Sequence, residues 1–181
     1  MDEKNPTLVW LDLEMTGLDV ERCAILEIGI VVTGHDLEPR AELERVIWQP
    51  EEVLARMEPH VRDMHTRNGL LDRVRQSSAS LAEAEAEAVR LLTRHATFGE
   101  AILAGNSVHT DRRFLARYMP ALERGFHYRH VDVSTLKVLT RAWYAGEGAF
   151  EKEDQEHTVL ADIRQSLDEL RHYRARFFRP L

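Results

Sequence analysis

Cysteine is nearly absent from this chain. Cys23 stands alone among 181 residues, which excludes an intrachain disulfide and a thiolate-built metal centre. Long apolar runs are missing too: no stretch approaches the roughly 18 uninterrupted residues of a spanning helix, so no membrane association is expected. The opening segment Met-Asp-Glu-Lys-Asn-Pro has neither an apolar signal core nor an Arg-rich transit pattern. With the lone thiol, this predicts a reducing, cytoplasmic setting. Glycine and proline are sparse, at 9 and 6 residues, and no repeat or low-complexity linker divides the sequence. A single domain over 1–181, with a sizeable core, is the expectation.

Positive charge is also in deficit, since 24 Lys and Arg face 31 Asp and Glu and leave a net −7. That balance argues against a long basic track for a polymer such as a long duplex nucleic acid. It is compatible with holding a short polyanion through a few local contacts, because the electrostatic gain scales with the charges neutralised. The exception is residues 171–181, which hold four Arg and no acid.

What is present is regular patterning. Leu8-Val9-Trp10-Leu11-Asp12-Leu13 reads as a strand buried on both faces, followed by a turn at Thr16-Gly17-Leu18-Asp19. Ile25 to Val32 and Ala41 to Trp48 read as two more strands, together an antiparallel meander. Ser80-Leu81-Ala82-Glu83 is a capping box ahead of a helix with Leu81, Ala84, Ala88 and Leu91 on one face. Ala101 to Ala104 reads as a central strand, and a helix capped by Thr110 should run to Pro120. His130 to Val133 reads as strand, with Ser134 capping a helix that carries Leu136, Leu139 and Trp143 inward. A last helix spans about Thr158 to Phe177 with Leu160, Ile163, Leu167, Leu170 and Phe177 on its apolar side. Strands first, then alternating helix and strand, predict an α/β mixed sheet flanked by helices.

The chemistry-bearing residues are acids in unexpected places. Asp12 and Glu14 lie at i and i+2 of a strand and so project from one face. An ionised carboxylate within an apolar strand is costly, and two like charges side by side cost more. A divalent cation would offset both. A strand end fraying into solvent would carry the same pair without any ion. Asp111 follows the turn Gly105-Asn106-Ser107 near the start of a helix, where an acid can equally serve the helix dipole. His157 and Asp162 are five residues apart, about 500° on a continuous helix, and so would not share a face. Both reach one site only if His157 lies on the loop before the helix and Asp162 in its first turn. As a set, four carboxylates and a histidine suit phosphodiester hydrolysis by two cations about 3.5–4 Å apart. Hard oxygen ligands select Mg²⁺ or Mn²⁺. His157 has the intrinsic basicity to accept a proton from an attacking water near neutral pH.

The order Asp-x-Glu, then Asp, then His-x4-Asp resembles the His-type DEDD exonucleases. Within them, the likeness is to oligoribonuclease and covers nearly the whole chain. It is carried by Trp10 to Leu18, by Gly105-Asn106-Ser107 with Asp111 to Leu115, by Phe126 to Arg129 with Asp132 to Lys137, and by His157 to Ser166. The resemblance implies a ribonuclease H-like mixed five-stranded sheet, 3′→5′ hydrolysis of short single-stranded RNA, dinucleotides above all, and a homodimer. It implies Asp12, Glu14, Asp111 and Asp162 as metal ligands and His157 as general base. Leu18 matches a residue that wedges against the bases. His65, Ser107, Arg129 and Ser134 match positions that close around the substrate's 5′-phosphate, with Tyr128 beside them. His60 aligns with a position where many members carry a base-stacking Trp, and imidazole is a smaller platform. A broader RNA or DNA end-trimming exonuclease and a non-catalytic nucleotide-binding module are the alternatives. A length series separates the first of these from the oligoribonuclease reading, and a metal requirement for turnover excludes the second.

Overall fold

A computed structural model describes residues 7–151 and 158–179. Three strands, β1 (Leu8–Met15), β2 (Ile25–Thr33) and β3 (Pro39–Val46), form the antiparallel meander that opens the chain. Three short helices follow, α1 (Glu51–Leu54), α2 (Pro59–Arg67) and α3 (Leu70–Gln76), then the longer α4 (Leu81–His95). The second half alternates: β4 (Ala101–Gly105), α5 (His109–Tyr118), α6 (Pro120–Glu123), β5 (Phe126–Asp132), α7 (Val133–Trp143) and α8 (Val159–Phe177). The sheet order is β3-β2-β1-β4-β5, with β1 parallel to β4 and β4 parallel to β5. This is the expected mixed five-stranded, ribonuclease H-like sheet, with β4 an interior strand and β1 at its centre.

Alternation along β1 separates two cores. Val9, Leu11 and Leu13 face one side, where they meet Ala84, Ala88 and Leu92 of α4 and Phe114 and Leu115 of α5. Leu8 and Trp10 face the other and meet Ile163, Leu167 and Tyr173 of α8. Helices on both faces explain why β1 and β2 are nearly continuous apolar runs. Strand β3, at the sheet edge, instead alternates charged residues that reach solvent. Asp12 and Glu14 share parity with Leu8 and Trp10 and so belong to the α8 face. No helix among the described residues is long and apolar enough to cross a membrane.

The Ser80 capping box forms, with Ser80 Oγ accepting from the Glu83 N–H at 3.2 Å and Glu83 Oε2 accepting from the Ser80 N–H at 2.8 Å. Two expected caps differ. Helix α5 is capped two residues earlier, at Val108 with no side-chain bond there, because a 3.0 Å bond from the Thr110 N–H to the Ser107 carbonyl closes the first turn. Helix α7 is capped by Asp132 instead of Ser134: Asp132 Oδ1 accepts from the Ser134 N–H at 2.9 Å. A carboxylate satisfies that orphan donor as well as a hydroxyl does, and it frees Ser134 for another partner. Trp143, expected on the inner side of α7, is 71% exposed.

Candidate active site

Three features of the sheet bring the acids together. Asp12 lies opposite Gly29 in the β1–β2 register, and Glu14 lies opposite Glu27. Gly29 lets helix α8 approach, since a Cβ there would sit 2.6 Å from Val159 Cβ and 3.2 Å from Ile163 Cδ1. The first turn of α8 thus rests on the strand beside Asp12 and carries Asp162 with it. Parallel pairing between β1 and β4 ends at Trp10↔Ala104, so the Leu13 N–H, between the two acids, has lost its ladder partner. Asp111 Oδ1, from the first turn of α5, accepts that N–H at 3.1 Å. Asp12, Glu14 and Asp162 each offer a carboxylate oxygen, and these oxygens lie within 4.8 Å of one another.

The electrostatics follow from this crowding. Burial first, then the charges of Asp111, Glu14 and Asp162, hold the Asp12 carboxyl well above the usual range. Burial, then Asp162, Glu27 and Asp111, pushes Glu14 up to about 8, partly opposed by the Arg73 guanidinium. Asp111 rises to about 7 through burial, although its own amide and the Leu13 N–H favour its charged form. Arg73 is itself held by Glu27 at 2.6 Å and Glu44 at 3.0 Å. The acids therefore cannot all ionise without further positive charge. Converging, half-buried carboxylate oxygens fit a hard divalent cation, so the site has both the donor set and the charge deficit a metal centre needs.

Helix α8 begins at Val159 with Thr158 as its cap, the hydroxyl accepting from the Ala161 N–H at 3.3 Å. Asp162 is therefore in the first turn, as the His-x4-Asp spacing requires. His157 itself lies outside the described residues.

The remaining expected residues fall into separate groups. His65 is fully buried; its Nε2 lies 2.9 Å from the Met15 carbonyl, and its Nδ1, which has no hydrogen-bond partner, is 3.9 Å from Glu14 Oε2. The carbonyl can only accept, so Nε2 carries the hydrogen, and His65 borders the acidic cluster. Ser107 and Ser134 form a pair, Oγ to Oγ 3.1 Å, at the meeting point of β4, β5 and α7. Tyr128 and Arg129 project from edge strand β5, the guanidinium 5.2 Å from the centre of the ring. Leu18, 71% exposed, lines a cavity of about 610 Å³ with Arg22, Arg56 and Glu58. His60 stands in solvent at the start of α2.

Several supporting residues carry no sequence signal of their own. Arg112 donates to the carbonyls of His127 and Tyr128 at 2.9 and 3.0 Å and to Glu123 at 3.0 Å, pinning the strand that bears Tyr128 and Arg129. Glu27 is fully buried against Arg73, and Glu169 is fully buried beneath the serine pair.

Comparison with known proteins agrees with this geometry. The family described as Exonuclease matches residues 9–170. Oligoribonuclease of Paracidovorax citrulli is 49% identical over 173 residues, covering 95% of this chain and 90% of the relative. Oligoribonuclease of Coxiella burnetii is 47% identical over 176 residues, covering 97% and 96%. Among solved structures, exonuclease I from Methylocaldum szegediense superposes with a TM-score of 0.75 at 17% identity over 95% of this chain. The E. coli exonuclease I–ssDNA complex gives 0.75 at 11% identity over 97%. These two likenesses concern the fold, and the chain spans about two fifths of each exonuclease I chain, 41% and 42%. At near half identity over nearly its full length, the chain belongs to the oligoribonuclease family of exonucleases.

Proposed function

We propose that this 3′→5′ exoribonuclease removes 5′-mononucleotides from short single-stranded RNA, dinucleotides above all, using two divalent cations, Mg²⁺ or Mn²⁺. The observation that carries the proposal is the cluster of Asp12, Glu14 and Asp162 oxygens, with Asp111 tied to the amide between the first two. These four carboxylates would hold the cations, which supply Lewis-acid charge for water activation and for the leaving 3′-oxygen. His157 acts as general base from the segment just before α8. Leu18 and His60 contact the bases, and His65, Ser107, Tyr128, Arg129 and Ser134 close around the 5′-phosphate. That closure selects length, because a phosphate held by charge-assisted bonds leaves no exit for a longer strand.

The reading includes a homodimer, in which the exposed Tyr128 and Arg129 of one subunit serve the other's site; a fully active monomer in sedimentation contradicts it. Asp12→Asn and Asp162→Asn each test the cluster. Loss of a metal ligand forfeits several kcal/mol of charge stabilisation, so turnover should fall by about a thousandfold or more. Cooperative unfolding should persist, and near-normal turnover in either variant contradicts the assigned site.

A further inference from the structure

Beneath the Ser107–Ser134 pair lies a carboxylate with no part in the acidic cluster. Glu169, in the middle of α8, is fully buried. Three side chains donate to it: Tyr173 Oη at 3.0 Å, Lys137 Nζ at 3.0 Å and Asn106 Nδ2 at 3.1 Å. A carboxylate accepts only, so Asn106 must turn its NH₂ toward Glu169, where the same group also meets Ser166 Oγ at 2.9 Å. The Asn106 carbonyl oxygen then faces Ser134 and accepts from its hydroxyl at 3.0 Å. The single hydroxyl hydrogen of Ser134 is thereby committed inward, and its oxygen accepts from the Ser107 N–H at 3.0 Å. Between the two serine oxygens, 3.1 Å apart, only Ser107 still has a hydrogen to give. The Ser107 backbone is held in the left-handed region, φ 53°, with its N–H shared between Ser134 and Asp132 Oδ1 at 2.9 Å.

We infer that Glu169 is a positioning residue that orders the Asn106–Ser134–Ser107 chain, so that the Ser107 hydroxyl, whose hydrogen rests on Ser134 Oγ until a phosphate takes it, is the donor to an anionic phosphate oxygen, and Ser134 supports it by accepting the Ser107 N–H. The inference rests on the 5′-phosphate reading of this serine pair and deepens it. It makes the two serines unequal, and it places the direction of the hydrogen bonds under a residue that touches no substrate.

The test compares 5′-phosphorylated and 5′-hydroxyl forms of one RNA dinucleotide in wild type, Glu169→Gln, Asn106→Ala and Ser107→Ala. Gln can donate as well as accept; with its oxygen held by Lys137 and Tyr173, its NH₂ faces Asn106 and opposes the wild-type orientation. Only Ser166 Oγ, its own hydrogen given to the Asp162 carbonyl at 2.9 Å, then favours that orientation, so the hold on Ser134 is weakened. In Glu169→Gln, KM for the phosphorylated form should rise about tenfold, the cost of about one charge-assisted hydrogen bond. KM for the hydroxyl form should move much less. Asn106→Ala, which leaves Glu169 with Lys137 and Tyr173, should show the same selective loss if Glu169→Gln folds poorly. Ser107→Ala should lose at least as much. The Asn106 side-chain amide protons should be protected from exchange in NMR spectra of the wild type and lose that protection in Glu169→Gln. A KM ratio unchanged from wild type in both Glu169→Gln and Asn106→Ala, or unaltered amide protection, overturns the inference alone. Absence of any 5′-phosphate preference in the wild type overturns the phosphate reading and the inference with it.

Discussion

His60 projects into solvent from the first turn of α2, its side chain 77% exposed and 3.5 Å from the Glu58 carboxylate. Nothing in its packing constrains its size, so His60→Trp should cost little stability. A larger ring stacks better on a base, and stacking contributes about 1–3 kcal/mol per base. The substitution should lower KM for an RNA dinucleotide about fivefold with kcat little changed; an unchanged KM would separate His60 from base contact. Residues differ in how far their surroundings show in the sequence. Asp12 and Glu14 were legible because acids at i and i+2 break an apolar strand pattern. Glu27 and Glu169 were not, since a Glu in a strand opposite Glu14, or on a helix rich in Arg, reads as solvated charge. Only the fold reveals that both are fully buried against cationic partners. His65 was legible by family likeness alone, and its place beside Glu14 came from the path of α2.

Helix α8 links the core to the site. Its apolar face, Ile163, Leu167 and Leu170, was readable from spacing, and its first turn carries Asp162. Its seat is Gly29, where a Cβ would collide with Val159 at 2.6 Å. Gly29→Ala should therefore destabilise the protein by about 1–3 kcal/mol in urea unfolding, the usual cost of overpacking. It should also lower turnover disproportionately by displacing Asp162 from Asp12 and Glu14. Loss of stability with normal specific activity would show that α8 has slack the close contact does not suggest. The three strands of the meander, the capping box at Ser80 and the long helices were all readable from periodicity. The caps of α5 and α7 were not: by residue type Thr110 is a better cap than Val108, and Ser134 is as good as Asp132, so backbone geometry overrides type in the first and decides in the second. Residues 51–76 gave no assignment, since helices of 4, 9 and 7 residues are too short for a sustained 3.6-residue pattern.

At the scale of the molecule, the acidic cluster couples metal, pH and stability. Glu14 at about 8 and Asp111 at about 7 lie above their ordinary values of 4.5 and 3.8, and Asp12 is raised as well. The folded state thus holds protons that the unfolded chain has released. Their contribution to stability is fully present below the unfolded values and is lost as pH rises through about 7 to 8. In chelator, the melting temperature should fall between pH 5 and pH 8, and the fall should be smaller in Asp12→Asn. Added Mn²⁺ should raise the wild-type melting temperature more at pH 8 than at pH 5, because bound cation takes the place of those protons. Equal shifts at both pH values would detach the cluster from metal binding.

The most direct test of the account is hydrolysis of 5′-phosphorylated RNA from two to about seven nucleotides, with Mg²⁺ or Mn²⁺ and with chelator. Mononucleotide release should require the cation and be fastest on the dinucleotide. Turnover in chelator would contradict the metal centre, and equal or faster cleavage of the longer strands would contradict selection by a closed 5′-phosphate site.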